Sequence, residues 1–130
     1  MLAVHARITW KEMPLLDMPP LSELLNRLDD APETVDFQSV ISLIDQHYAY
    51  TPTRFRCGSV ESEAGSNEGS CKILAFGKMH ALSSEKTLAL FGKFYREDVL
   101  QHPQGTDHSN IRNFMKFGWG AVSFDNDPLA

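Results

Sequence analysis

A chain of 130 residues, 42% apolar and 22% charged, is long enough for one globular domain with its own core, and two cysteines are too few for a disulfide scaffold. Its net charge of -5 excludes a nucleic-acid binder driven by counterion release. No apolar run reaches the roughly 20 residues of a membrane span, and Met1–Pro20 is broken by His5, Arg7, Lys11, Glu12 and Asp17, so neither membrane insertion nor a signal peptide is expected.

Residues 1–20 lack a clear period, contain Pro14, Pro19 and Pro20, and read as a partly ordered extension. The globular unit is placed at residues 21–125, with 126–130 as a C-terminal tail. Leu21, Leu24, Leu25 and Leu28 fall on one helical stripe, which Asp29-Asp30-Ala31-Pro32 ends. Asp36 is the expected cap of a second helix that buries Phe37, Val40, Ile41, Ile44 and Tyr48 and stops at Thr51-Pro52. Thr53-Arg54-Phe55-Arg56-Cys57 alternates as a short strand, and the polar stretch Glu61–Ser70 reads as a loop.

Asn67 or Ser70 should open a third helix that runs to about Ala81 and buries Ile73, Leu74 and Phe76. Ser83 should cap a fourth that continues to about Gln101 on Leu88, Phe91, Tyr95 and Val99. Gly92 lies inside it at a cost of about 1 kcal/mol relative to Ala, which signals close packing. Pro103 closes that helix. Thr106 or Asp107 should cap a fifth, with Ile111, Phe114 and Met115 inward and Gly118 as a left-handed stop. Ala121-Val122-Ser123-Phe124 alternates again and should pair with the strand around Phe55. The expected fold is a helix-dominated α+β domain of about five helices with a small two-stranded antiparallel element.

Chemistry concentrates in two polar, turn-rich segments that each open onto a helix, Asn67–Lys72 and His102–Met115. Residues 1–66 hold 10 acidic and 5 basic side chains, whereas residues 67–130 hold 7 of each, so this part of the chain is electrically balanced. A helix start offers unpaired N–H groups and a positive dipole end, which shift acidities and attract anions. Cys71, in the first turn beside Lys72, is placed for a lowered pKa; with His108 as base and Asp107 or Asn110 as orienter it would form a cysteine nucleophile. The competing reading is a small buried residue.

His80, His102 and His108, with Asp107 or Glu68, offer imidazole and carboxylate ligands of the zinc and iron kind, without a tight spacing that would pre-arrange them. Capping and turn roles explain the same residues. Arg112 and Arg96 suit a carboxylate or phosphate fork, or a structural salt bridge. The expectation is a polar centre where the third and fifth helices start, with Cys71, Asp107, His108 and Arg112 as members, Asn67 and Glu68 at its rim and His102 nearby. No motif specifies a cofactor.

Several long motifs carry a family resemblance. Glu63-Ala64-Gly65, Asn67-Glu68-Gly69-Ser70-Cys71-Lys72, Thr87-Leu88-Ala89-Leu90-Phe91-Gly92, Tyr95-Arg96-Glu97-Asp98-Val99-Leu100, Gly105-Thr106-Asp107-His108 and Asn110-Ile111-Arg112-Asn113-Phe114-Met115 through Gly118-Trp119 together resemble the HopJ (HopPmaJ) type III effector proteins. The resemblance spans roughly Leu21 to Phe124. It implies a small protein of the bacterial cytoplasm that is delivered through a type III secretion apparatus into a host cell, with a host or bacterial protein as partner. It brings no settled reaction. The leading expectation is therefore a binding or interaction protein with a polar pocket; a hydrolase using Cys71 and His108, or a His/Asp metal protein, is the alternative.

Overall fold

The computed structural model describes residues 21–130; the expected N-terminal extension lies outside them. Helix α1 (Leu21–Asp30) buries Leu24 and Leu28, and a short 3-10 turn at Pro32–Thr34 leads into α2 (Phe37–His47). Asp36 starts α2 as a side-chain cap: its Oδ2 accepts from the Ser39 N–H at 3.1 Å. Helix α3 (Glu68–Met79) is the central element. It buries Cys71, Ile73, Leu74, Ala75, Phe76 and Gly77, more than one face could hold, because α2 and α4 pack on different sides of it.

The sheet has three strands where two were expected, in the order β2-β1-β3 and antiparallel throughout. Strand β1 (Phe55–Cys57) pairs with β3 (Val122–Phe124), placing Phe55 opposite Phe124 and Cys57 opposite Val122. The additional strand is β2 (Val60–Ser62), cut from the stretch that reads as loop. A two-residue turn makes it possible: Gly58, at φ +62°, occupies the first central position, where a tight hairpin needs a residue free to adopt positive φ.

One further expectation is corrected. The long fourth helix is interrupted: α4 covers Ser84–Ala89, capped by Ser83, and a π-helical segment follows at Phe94–Val99. Gly92 is the reason, since it stands at φ +60° between them. A Cβ there would lie 2.8 Å from the backbone nitrogen of Phe37, so only glycine allows the start of α2 to approach this closely.

Residues 126–130 bond back to the chain that follows α2. Ala130 and Ala49 exchange backbone hydrogen bonds of 2.9 and 3.0 Å, the Thr51 N–H donates to the Pro128 carbonyl at 2.8 Å, and Leu129 is buried. The chain end satisfies backbone groups of the segment that leaves α2. Helix α5 (Ser109–Phe117) buries Asn110, Ile111 and Phe114 and packs across β1 and β2.

Candidate functional site

Helices α3 and α5 begin differently from α2 and α4. Their N-cap residues, Asn67 and His108, sit in left-handed conformations at φ +52° and +50°, and neither side chain bonds its own helix. Side-chain capping works from an extended N-cap backbone, as at Asp36 and Ser83. The expected caps of α5, Thr106 and Asp107, lie two and one residues too early for a helix whose N-cap is His108. Asn67 instead turns its Nδ2 back to donate to Ser62 Oγ at 2.9 Å, and His108 Nε2 lies 3.0 Å from Asp98 Oδ2.

These two uncapped starts line one cavity of about 310 Å³. Asn67, Gly69 and Ser70 border it from α3, and His108, Ser109, Asn110 and Ile111 from α5, while Phe37, Phe91 and Phe94 supply its apolar walls. Among the described residues, no carboxylate lines it. Asn110 is only 4% exposed and its Oδ1 lacks a hydrogen-bond partner, an arrangement that folded proteins seldom tolerate without a reason. The Asn110 carbonyl accepts from Cys57 Sγ at 3.4 Å, which ties the start of α5 to the hairpin.

Beside the cavity lies a network centred on Arg112. Its Nε and one terminal nitrogen donate to the backbone and side chain of Asp107, both at 2.6 Å, and its other terminal nitrogen donates to the His102 carbonyl at 2.8 Å. A longer bond of 3.3 Å reaches the Asp98 carbonyl. Arg112 is thus a staple for the loop before α5, and its fork is occupied from within. His102 contributes its carbonyl to that staple. The Arg112 hydrogen bond holds the Asp107 carboxyl below its ordinary pKa, although the side chain is exposed. One ligand atom from each of Asp98, Asp107 and His108 lies within 4.8 Å of the others.

Cys71 stands elsewhere. It is buried, does not line the cavity, and its thiol is pushed up to about 11, chiefly by burial, with a hydrogen bond from Tyr50 only partly opposing the rise. The dipole argument predicts the opposite direction; loss of solvation outweighs it here. Helix geometry explains the separation. At about 100° per residue, Glu68, Cys71 and Lys72 share a face roughly opposite Gly69 and Ser70.

That second face turns to other partners. Lys72 pairs with Asp45 at 2.8 Å and lies over the Tyr50 ring, and Glu68 hydrogen-bonds Tyr50. His80 is committed too, with its Nε2 2.7 Å from the Tyr48 hydroxyl. Arg96 donates to the Val35 carbonyl at 3.0 Å. Of the residues singled out from sequence, Asn67 and His108 line the cavity and Asp107, Arg112 and His102 buttress it, whereas Cys71 and Glu68 face away. Asp98, Phe37 and Phe94 join only through folding.

The family model for HopJ type III effector proteins matches residues 21–129. The crystal structure of VPA0580, a protein of unknown function, superposes with a TM-score of 0.84 at 46% identity, covering 86% of this chain and 93% of that one. No curated protein matches. With a match over nearly the whole described chain, and with the fold and its polar cavity in view, this protein belongs to the HopJ type III effector family.

Proposed function

We propose that this HopJ-family protein acts by binding, and that the cavity between the starts of α3 and α5 receives its ligand. The single observation that carries the reading is that two helix starts without side-chain caps, those of α3 and α5, border the same cavity. In the same reading Asn67 and Ser70 border the ligand, His108 shapes one wall with Asp98 behind it, and Arg112 and Asp107 are positioning residues. A hydrolase built on Cys71 has less behind it, because a buried thiol with a raised pKa supplies little thiolate at neutral pH.

The test is a fragment screen followed by the amide resonances of the folded protein. Shifts of Gly69, Ser70, Ser109 and Asn110 that saturate together support the cavity. Fragments that move only the exposed apolar groove at Leu100 and Met115 would move the binding site there and overturn the proposal.

A second reading rests on the proximity of Asp98, Asp107 and His108, an oxygen and imidazole set suited to a divalent ion. An ion would compete with Arg112 for Asp107 and with the His108–Asp98 contact. Near-stoichiometric zinc retained after dialysis, and lost in His108→Ala, supports it; zinc that neither binds nor raises the melting temperature removes it. The family also suggests export through a type III apparatus and action on a host protein. A reporter fused to the N-terminal segment should leave the bacterium through that apparatus, and a reporter retained inside contradicts this.

A further inference from the structure

We infer that the outer edge of β3 takes an extended segment of a partner protein as a fourth, antiparallel strand, with two apolar side chains two residues apart and a basic residue ahead of them. The cavity at the starts of α3 and α5 plays no part in this. The Asp125 N–H donates to the Arg54 carbonyl and the Ala121 carbonyl accepts from Gly58, so Ala121, Ser123 and Asp125 turn their backbone groups toward β1. By the alternation of an antiparallel ladder, Val122 and Phe124 turn theirs outward. The Val122 N–H is taken by the Trp119 carbonyl. Among the described residues nothing bonds the Val122 carbonyl or the Phe124 N–H and carbonyl, three groups in the arrangement that recruits another strand.

The space beside that edge has the same repeat. Phe124 borders one cavity, of about 290 Å³, with Met79 and Leu129; Val122 borders another, of about 310 Å³, with Leu82 and Trp119. Lys78 borders both and its ammonium lies 5.6 Å from the centre of the Phe124 ring, so its stem divides them. Side chains two apart on a strand point the same way and stand about 7 Å from one another. A strand laid antiparallel against β3 therefore sets one side chain opposite Phe124 and the next but one opposite Val122, each beside its own cavity. Apolar side chains suit both places, where Met79 is 48% exposed and Trp119, Val122 and Phe124 are only half-buried. Charge selects the occupant. Asp127 lines the cavity at Phe124 and, among the described residues, makes no ion pair, and the Asp125 carboxylate has only a 3.7 Å contact with Arg54. A basic residue ahead of the apolar pair meets this end of the groove, and the net charge of -5 steers such a partner toward it, whereas a second copy brings the same negative charge.

The experiment titrates the full chain with the synthetic peptide acetyl-Thr-Lys-Thr-Leu-Thr-Leu-Thr-amide and follows amide resonances and amide hydrogen exchange. The amides of Lys78, Val122 and Phe124 should shift together and saturate, and the outward Phe124 N–H, open to exchange in the free protein, should become protected. A peptide of the same composition with adjacent leucines, Thr-Lys-Thr-Leu-Leu-Thr-Thr, sends them to opposite faces and should bind about tenfold more weakly. N-methylation of the first leucine of the original peptide removes its donor to the Phe124 carbonyl and should cost about as much. Asp127→Lys, at an exposed position, should weaken the lysine peptide about threefold and favour its glutamate counterpart.

Equal affinity for the N-methylated or adjacent-leucine peptide would mean apolar contact without strand pairing and overturns the inference. So does a Phe124 amide already protected before any peptide is added, because the chain itself or a second copy then fills the edge. A peptide that leaves these resonances unmoved at millimolar concentration overturns it as well.

Discussion

Two kinds of helix start occur in this molecule. Helices α2 and α4 are closed by Asp36 and Ser83, whose side chains accept from N–H groups of their first turns. Helices α3 and α5 are opened by left-handed Asn67 and His108, whose side chains bond elsewhere. The first pair is finished as structure and the second pair is left with donors. Polar residues at a helix start therefore do not reveal by themselves whether the start is sealed; the backbone conformation of the N-cap does.

The comparison breaks most visibly at the cavity wall. Gly92→Ala should destabilise by about 3 kcal/mol, since it combines left-handed strain with a Cβ against the start of α2; chemical denaturation reads the loss, and anything under about 1 kcal/mol would mean the close approach is soft. A smaller effect comes from the sealed starts. Asp36→Ala and Ser83→Ala should each cost about 1 kcal/mol. Ser70→Asp at an open start should instead stabilise by about 0.5 kcal/mol, because no side-chain cap bonds that first turn. A loss of stability in Ser70→Asp as large as that in Asp36→Ala or Ser83→Ala would abolish the distinction.

Much of the fold was legible. The caps Asp36 and Ser83, the apolar stripe of α1, and the pairing of the Phe55 strand with Val122–Phe124 all follow from local pattern. The second hairpin strand was legible in principle, through the two residues Gly58-Ser59 between alternating segments, but its polar composition reads as loop. The interruption at Gly92 depends on how closely α2 approaches, which no local signal reports.

The site was legible only in part. Two polar helix starts stand out in the letters, yet which side chains look into the cavity depends on helix phase. Counting 100° steps would have put Cys71 with Glu68 and Lys72, away from Gly69 and Ser70. Phe37, Phe94 and Asp98 come from distant turns and carry no mark of their role.

Smaller effects sharpen the account around the network. Alkylation of Cys71 should stay slow through neutral pH and accelerate only as the pH approaches about 11 or as the protein unfolds. Rapid labelling at pH 7 would return the thiol to the list of reactive groups. At Asp107, the folded-state pKa is depressed, so its contribution is present above the ordinary carboxylate pKa and is lost as pH falls toward the lowered value. Arg112→Met should flatten that acid limb of the stability curve, and an unchanged limb would detach Asp107 from Arg112.

The central claim, that two unsealed helix starts share a ligand-receiving cavity, is tested most directly by a crystal structure grown with phosphate or phenyl phosphate. The account predicts density between the first turns of α3 and α5, with its oxygens facing the helix N–H groups. An empty cavity at saturating ligand, or density only against surface lysines and arginines, would contradict it.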